Sequence, residues 1–264
     1  MGIGDELMTM GQARRYLTDH NLRGSVAVLD RRGERRWHPI WLGCREIAGL
    51  HERKVAGCIT SGAEARPYIH YPATTPERWA FVPNWRGRGC PGRLPGIVPD
   101  RRAIGLVLVE PTIKAGASPN KQWGQWQRLV DMAPEIPWGQ IGTLETQYLR
   151  GVVPLPAHTF HDAAGLIAAA DCCVLPEGGL HHAAAALFRR AIVLFGAYIP
   201  PTVTGYDCHA NLWVDDPEAV GWRLPNERCA DAWQKITPDL VLEILARRNC
   251  NWRAACGFRN VNAT

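Results

Sequence analysis

Residues 170–212, ADCCVLPEGGLHHAAAALFRRAIVLFGAYIPPTVTGYDCHANL, constrain this chain more than any other stretch. A short apolar run at 172–176 enters the turn Glu177-Gly178-Gly179, an alanine-rich helical segment follows at 179–190, and a second apolar run at 191–195 closes on Gly196. Strand, glycine turn, helix and strand in that order make the βαβ unit of a parallel sheet. Two glycines let backbone N–H groups approach a ligand closely, and the helix dipole aims positive partial charge at the same point. The turn is therefore either a phosphate or diphosphate seat, with His181 and His182 as extra donors, or a plain tight βα connection.

Around this unit the chain alternates strand-like and helix-like segments. The opening, Met1-Gly2-Ile3-Gly4-Asp5-Glu6, is a glycine turn leading into a helix over 5–21, with two carboxylates at its positive end. A lone Met1 precedes that turn, so the strand that ordinarily feeds such a helix is either dispensable or encoded upstream. Residues 25–30 alternate as a strand. Residues 31–100 are irregular and rich in Pro, Gly, Trp and Arg, with a short helix predicted at 44–50 and strand-like pieces at 55–60 and 79–82. A buried strand is predicted at 103–110, and Glu110 at its end faces a ligand if one gathers at the strand C-termini. A polar loop at 111–120, a helix at 121–133, a strand at 137–142 and a helix at 161–170, capped by Thr159 or His161, lead up to the glycine turn. Residues 199–212 read as a loop rich in Pro and Gly, and 216–222 and 238–248 as closing helices. Elements alternating on both sides of residue 100 predict two α/β layers facing across a cleft: an N-terminal domain at 1–100, a C-terminal domain at 101–250 and a tail at 251–264.

The 264 residues suffice for a large core, as one domain or two small ones. A net charge of +5 suits an anionic ligand but does not demand nucleic acid. The arginine-rich runs at 31–36 and 86–102 are either solvated loops or phosphate-facing, and the eleven tryptophans serve core packing or stacking on sugars or bases. Nine cysteines form no CxxC pair, and Cys172 and Cys173 point to opposite faces of one strand, which makes them poor partners for one metal. Reduced thiols in a cytoplasmic protein, without a bound metal, are the expectation. No secretory leader is evident, and no apolar run reaches the roughly 18 residues that a membrane span needs. The sequon at Asn262 then carries no meaning.

Three motifs together resemble glycosyltransferase family 9, the heptosyltransferase-like enzymes. Gly2-Ile3-Gly4-Asp5 resembles that family's N-terminal Gly-x-Gly-Asp loop. Lys121-Gln122-Trp123 resembles its Lys-x-Trp at the head of a helix after the first strand of the C-terminal domain. Glu177-Gly178-Gly179-Leu180-His181-His182-Ala183-Ala184-Ala185 resembles its Asp-[Ser/Thr]-Gly-x-x-His-x-x-Ala stretch ahead of a strand ending Leu-Phe-Gly, here Leu194-Phe195-Gly196. The resemblance is good over residues 104–212 and thin over 25–100. It implies a GT-B fold, α/β with two Rossmann-like domains across a cleft and the N-terminal one shortened. It also implies metal-independent, inverting transfer of a heptose or hexose from a nucleotide sugar, typically ADP-linked, to an acceptor hydroxyl, with no further cofactor.

By the same resemblance Asp5 would be the general base, Lys121 would neutralise the donor diphosphate, and Gly4, Glu177, Gly178, Gly179 and His182 would form the donor site. An inverting transfer does need one carboxylate to take the acceptor proton. Asp5 is also explained as a helix-capping charge, Lys121 as a surface lysine, and His182 as a buried, satisfied histidine; His181 reads as solvent-facing or packed. Tyr206 and His209, in the loop beyond Gly196, are candidates for contacting nucleotide or sugar, or belong to an ordered surface loop. The chain departs from the family pattern at Glu177, where Asp is usual, at Gly178, where a hydroxyl is usual, and in its short N-terminal half. The acceptor is therefore left open: a glycan, a lipid-linked sugar or a modified base in DNA. The alternative to an enzyme is a degenerate protein that binds a nucleotide sugar without turning it over.

Overall fold

The computed structural model describes residues 2–61, 66, 68–85, 91–112 and 118–247, and the backbone of a strand at 258–260. The start of the arginine-rich run at 86–90, residues 113–117 of the polar loop, and most of the tail with Asn262 lie outside the described residues.

The chain opens with helix α1 (Ile3–Asp19). Two short parallel strands follow, β1 (Val26–Leu29) and β2 (Gly57–Thr60), in register Val26 with Gly57. Residues 4 to 11 of α1 are buried on every side, because the helix lies between this small sheet and the C-terminal half. That environment explains its polar residues. The Glu6 carboxylate accepts two hydrogen bonds from the Arg36 guanidinium, at 2.7 and 3.2 Å, and the Thr9 and Ser61 hydroxyls bond at 2.6 Å. Arg36, expected in a solvated or phosphate-facing run, is instead turned inward to answer a buried charge, which would be costly if left unpaired.

Among the described residues the C-terminal half holds seven parallel strands. They are β3 (Val107–Val109), β4 (Trp138–Gly142), β5 (Val153–Pro156), β6 (Cys172–Pro176), β7 (Ala191–Gly196), β8 (Ala210–Trp213) and β9 (Phe258–Asn260), in the spatial order β5-β4-β3-β6-β7-β8-β9. The first six follow the doubly wound dinucleotide-binding order, whose switch point lies between β3 and β6. Helices α2 (Trp126–Met132), α3 (Phe160–Ala169), α4 (Gly179–Ala186), α5 (Pro201–Thr204), α6 (Glu227–Lys235) and α7 (Pro238–Ala246) connect and flank the strands. One continuous apolar core joins the two halves. The fold is thus the expected one, with the N-terminal layer, among the described residues, built on two strands and one α-helix.

Most tryptophans prove structural. The indole N–H of Trp123 donates to the Ile236 carbonyl at 2.8 Å, Trp138 to Ala133 at 2.9 Å and Trp233 to Asn120 at 2.8 Å. Each buries a large ring, worth roughly 3 kcal/mol of apolar transfer, and ties down a loop carbonyl as well.

Several local expectations need correction. Residues 216–222 form turns rather than a helix, since Pro217 and Gly221 (φ +82°) interrupt them. The helix starts later, where Asn226 caps α6 by accepting from the Arg228 and Cys229 N–H groups. Residues 44–50 form turns with one bridge to Val26, and 79–82 hold one isolated bridge, Phe81 to Ile69. Strand β5 was hidden by Pro154 and Pro156, which are tolerated because β5 is an edge strand. The loop expected at 199–212 holds α5 and ends in β8.

Candidate functional site

A cavity of about 650 Å³ opens where the C-terminal ends of β3 and β6 meet the N-termini of α1 and α4. Its lining includes Gly4, Asp5, Glu110, Lys121, Glu177, Gly178, Gly179 and His182. Eight of the eleven residues singled out from sequence thus converge on one space at the switch point of the sheet. His181, Tyr206 and His209 are not among the lining residues.

Two helix starts dominate the cavity, and both are built the same way. In α1 the N-cap is Gly2, whose N–H donates to Asp5 Oδ2 at 3.0 Å; in α4 it is Gly178, whose N–H donates to His181 Nδ1 at 2.9 Å. Neither glycine has a side chain to cap the next amides, so the first N–H groups of each helix stay available to a ligand. The helices approach so closely that a Cβ built on Gly4 would lie 2.6 Å from His182 Cδ2. Glycine is required there by proximity. At Gly178 a Cβ would meet nothing within 4 Å, so the missing hydroxyl of the family pattern is not excluded by space.

Lys121 comes from the turn before α2 and pairs with Glu177 at the end of β6; the other Glu177 oxygen accepts from the Thr204 hydroxyl at 3.0 Å. Burial opposes ionisation of Glu177, but Lys121 and the two hydrogen bonds outweigh it and hold the carboxyl below its ordinary value. His181 Nε2 lies 3.0 Å from the Thr204 carbonyl, which only accepts, so the proton sits on Nε2 and Nδ1 is free to accept from Gly178. His181 is therefore a neutral, fully satisfied core histidine, and burial lowers its pKa accordingly. Glu177, His181 and His182 carry metal-ligand atoms within 4.8 Å of one another. Both His181 nitrogens and both Glu177 oxygens are already bonded, so as arranged the trio is a hydrogen-bonded network that braces the seat.

Tyr206 and His209, candidates for contacting nucleotide or sugar or else part of an ordered loop, are both buried behind α4, away from the cavity lining. The Tyr206 hydroxyl bonds His182 Nδ1 at 2.8 Å, and His209 Nε2 donates to the His181 carbonyl at 3.1 Å. Burial pushes His209 down to about 3 and His182 well below its ordinary value. Of these histidines, His182 is the one that lines the cavity. The other three residues act on the site through it or through the α4 backbone. Tyr206 and His209 are buried because α5 and β8 draw their segment into the core.

Asp5 is 8% exposed and faces the cavity. Its Oδ1 accepts from the Tyr68 hydroxyl at 2.9 Å, and Arg66 Nε stands 3.7 Å from Oδ2. Arg66 in turn lies over the Trp79 ring at 4.6 Å. Tyr198 closes the opposite side, with Lys121 Nζ 5.4 Å from its ring centre and Phe81 edge-on at 6.1 Å. Arg66, Tyr68, Trp79, Phe81 and Tyr198 all line the cavity and were missed from sequence. Four of the five lie in the irregular half, where no periodicity marks them. Glu110 follows β3 and is half-buried on the wall; loss of water, opposed by one bond from the Thr112 N–H, pushes its carboxyl up to about 8.

No protein-family model and no curated protein matches the sequence. Solved structures do. E. coli heptosyltransferase WaaC with ADP is similar over 57% of this chain and 46% of its own, at 16% identity and a TM-score of 0.44. E. coli ADP-heptose LPS heptosyltransferase II is similar over 55% and 46%, at 20% identity and 0.43. The chain thus spans less than half the length of these two proteins. The iron-containing dodecameric glycosyltransferase TibC from enterotoxigenic E. coli is similar over 94% of this chain and 73% of its own, at 13% identity and a TM-score of 0.60. Among the described residues no helix is long and apolar enough to cross a membrane. The TibC likeness runs through both layers, so the chain has a GT-B-like glycosyltransferase fold with a reduced N-terminal layer.

Proposed function

We propose that this chain is a glycosyltransferase related to family 9, moving a heptose or hexose from an ADP-linked nucleotide sugar to an acceptor hydroxyl with inversion. The observation that carries the reading is the convergence of two glycine-capped helix N-termini on one cavity beside Lys121 and His182. That arrangement suits a diphosphate. TibC has been solved in complex with ADP-D-β-D-heptose, which supports the same donor here.

In this reading the α4 start holds the diphosphate through the Gly179 and Leu180 N–H groups. Lys121 has three N–H donors; Glu177 takes one and fixes the ammonium, and the others meet phosphate oxygens. His182 adds a ring nitrogen. Asp5, at the α1 start, takes the proton of the acceptor hydroxyl as its oxygen bonds the anomeric carbon. The bond from that carbon to the diphosphate breaks, and the nucleoside diphosphate leaves with charge spread over the α4 N-terminus and Lys121. No step requires a metal. A modified base in nucleic acid as acceptor predicts a steep loss of acceptor binding with salt, which a glycan does not.

A second reading, binding without turnover, draws on one observation: both Asp5 oxygens already accept hydrogen bonds, from Tyr68 and Gly2. A thermal-shift panel of ADP-, GDP- and UDP-sugars tests the donor site, and a panel without any rise in Tm rejects both readings. Hydrolysis or transfer from the stabilising sugar then separates them. Loss of turnover in Asp5→Asn supports the enzyme, and equal rates in both proteins remove Asp5 as base.

A further inference from the structure

The switch point of the sheet carries two acidic side chains with opposite fates. Glu177 follows β6 and is answered by Lys121 and Thr204. Glu110 follows β3, the neighbouring strand in register Val109 with Val174, and lines the same cavity. Among the described residues its carboxyl accepts from the Thr112 N–H and meets no cation: Lys121 is drawn to Glu177, and Arg66 to Asp5. The other titratable groups on the cavity wall are Tyr68, which donates to Asp5, His182 on α4, and Tyr198 beyond β7. Burial keeps His182 neutral and both tyrosines protonated, so none of the three supplies positive charge.

An ionised, unpaired carboxylate here would repel a diphosphate across a poorly screened space. A neutral carboxyl has an O–H to donate instead. We infer that Glu110 is a donor-site residue that works in its protonated form, giving its O–H to an oxygen of the bound nucleotide sugar, so that binding takes up a proton wherever Glu110 starts ionised. Its half-buried place at the end of β3 favours the neutral form at physiological pH. The inference rests on the nucleotide-sugar reading and adds a pH dependence that reading alone does not require.

The sign is fixed by the linkage. Ligand selects the protonated form, so affinity is full below the carboxyl's pKa of about 8 and falls above it. ADP-heptose is the probe, because its diphosphate diester has no proton to lose in this range. Calorimetric titration of wild type is expected to show Kd rising about tenfold between about pH 7 and about pH 9. Glu110→Gln keeps an N–H donor and cannot ionise, and its Kd is expected to be independent of pH over that range. A flat wild-type profile, or the same slope in Glu110→Gln, overturns the inference while leaving the donor site intact. No binding of ADP-heptose at about pH 7 instead overturns the nucleotide-sugar reading, and the inference with it. A ligand-free arm decides the protonation state: difference infrared spectra at neutral pH should show a protonated-carboxyl band that Glu110→Gln lacks, and its absence from wild type contradicts the assignment.

Discussion

Helices α1 and α4 begin alike, with a glycine N-cap whose N–H is bound by the side chain three residues on, yet the two starts are finished with different chemistry. In α1 that side chain is Asp5, a carboxylate that stays on the cavity wall and offsets the helix dipole. In α4 it is His181, neutral and sealed in the core, so the dipole is left for whatever occupies the cavity. One start is suited to receiving a proton and the other to holding an anion. The difference teaches that a glycine turn at a helix start does not define a phosphate seat by itself; the residue at the third helical position decides which charge remains.

The largest effect should come from the α1 side. Asp5→Asn, which preserves an acceptor for Tyr68, is expected to lower transfer about a hundredfold or more with little change in donor affinity, measured by turnover and calorimetry. On the α4 side Lys121→Met strips the buried Glu177 of its partner. Donor affinity should fall about tenfold or more, and stability by about 3 kcal/mol in urea unfolding. Adding Glu177→Gln should restore stability without restoring affinity. Lys121 holds Glu177 below its ordinary value, so the pair's contribution is present at neutral pH and lost on acidification. In Lys121→Met the unpaired carboxyl protonates instead, and Tm relative to wild type should improve between about pH 6 and about pH 4.

Smaller effects sharpen the contrast between glycines. Gly4→Ala drives a methyl against His182 and should cost about 1–3 kcal/mol with a matching loss of donor affinity. Tyr206→Phe releases His182 Nδ1 and is expected to weaken donor binding about fivefold, near 1 kcal/mol, with Tm moving by a few degrees at most. Gly178→Ser points into open space and should change stability by less than about 0.5 kcal/mol.

The α4 unit and the α1 start were legible from sequence because each is a local signal: an apolar run, a glycine turn and a helical period lie within a few residues of one another. Lys121 and Glu110 were legible from their places at an element boundary, although nothing local showed that one would be paired and the other not. The burial of Tyr206 and His209 was not legible because a Pro- and Gly-rich composition looks like surface loop, while β8 and α5 pull that composition inside. The aromatic wall of Tyr68, Trp79 and Phe81 comes from residues held by isolated bridges and packing, and such contacts leave no periodic trace. Strand β5 escaped notice because its prolines are forbidden in a central strand and acceptable only at the edge it occupies.

The central claim is that the α4 start grips the diphosphate of a nucleotide sugar, with the α1 start facing it. Backbone amide NMR of the full chain during titration with ADP-heptose tests it directly. The account predicts that the largest shifts fall on the amides of Gly178, Gly179 and Leu180, with Gly4 next. Saturation with those amides unmoved and the main shifts elsewhere would contradict it.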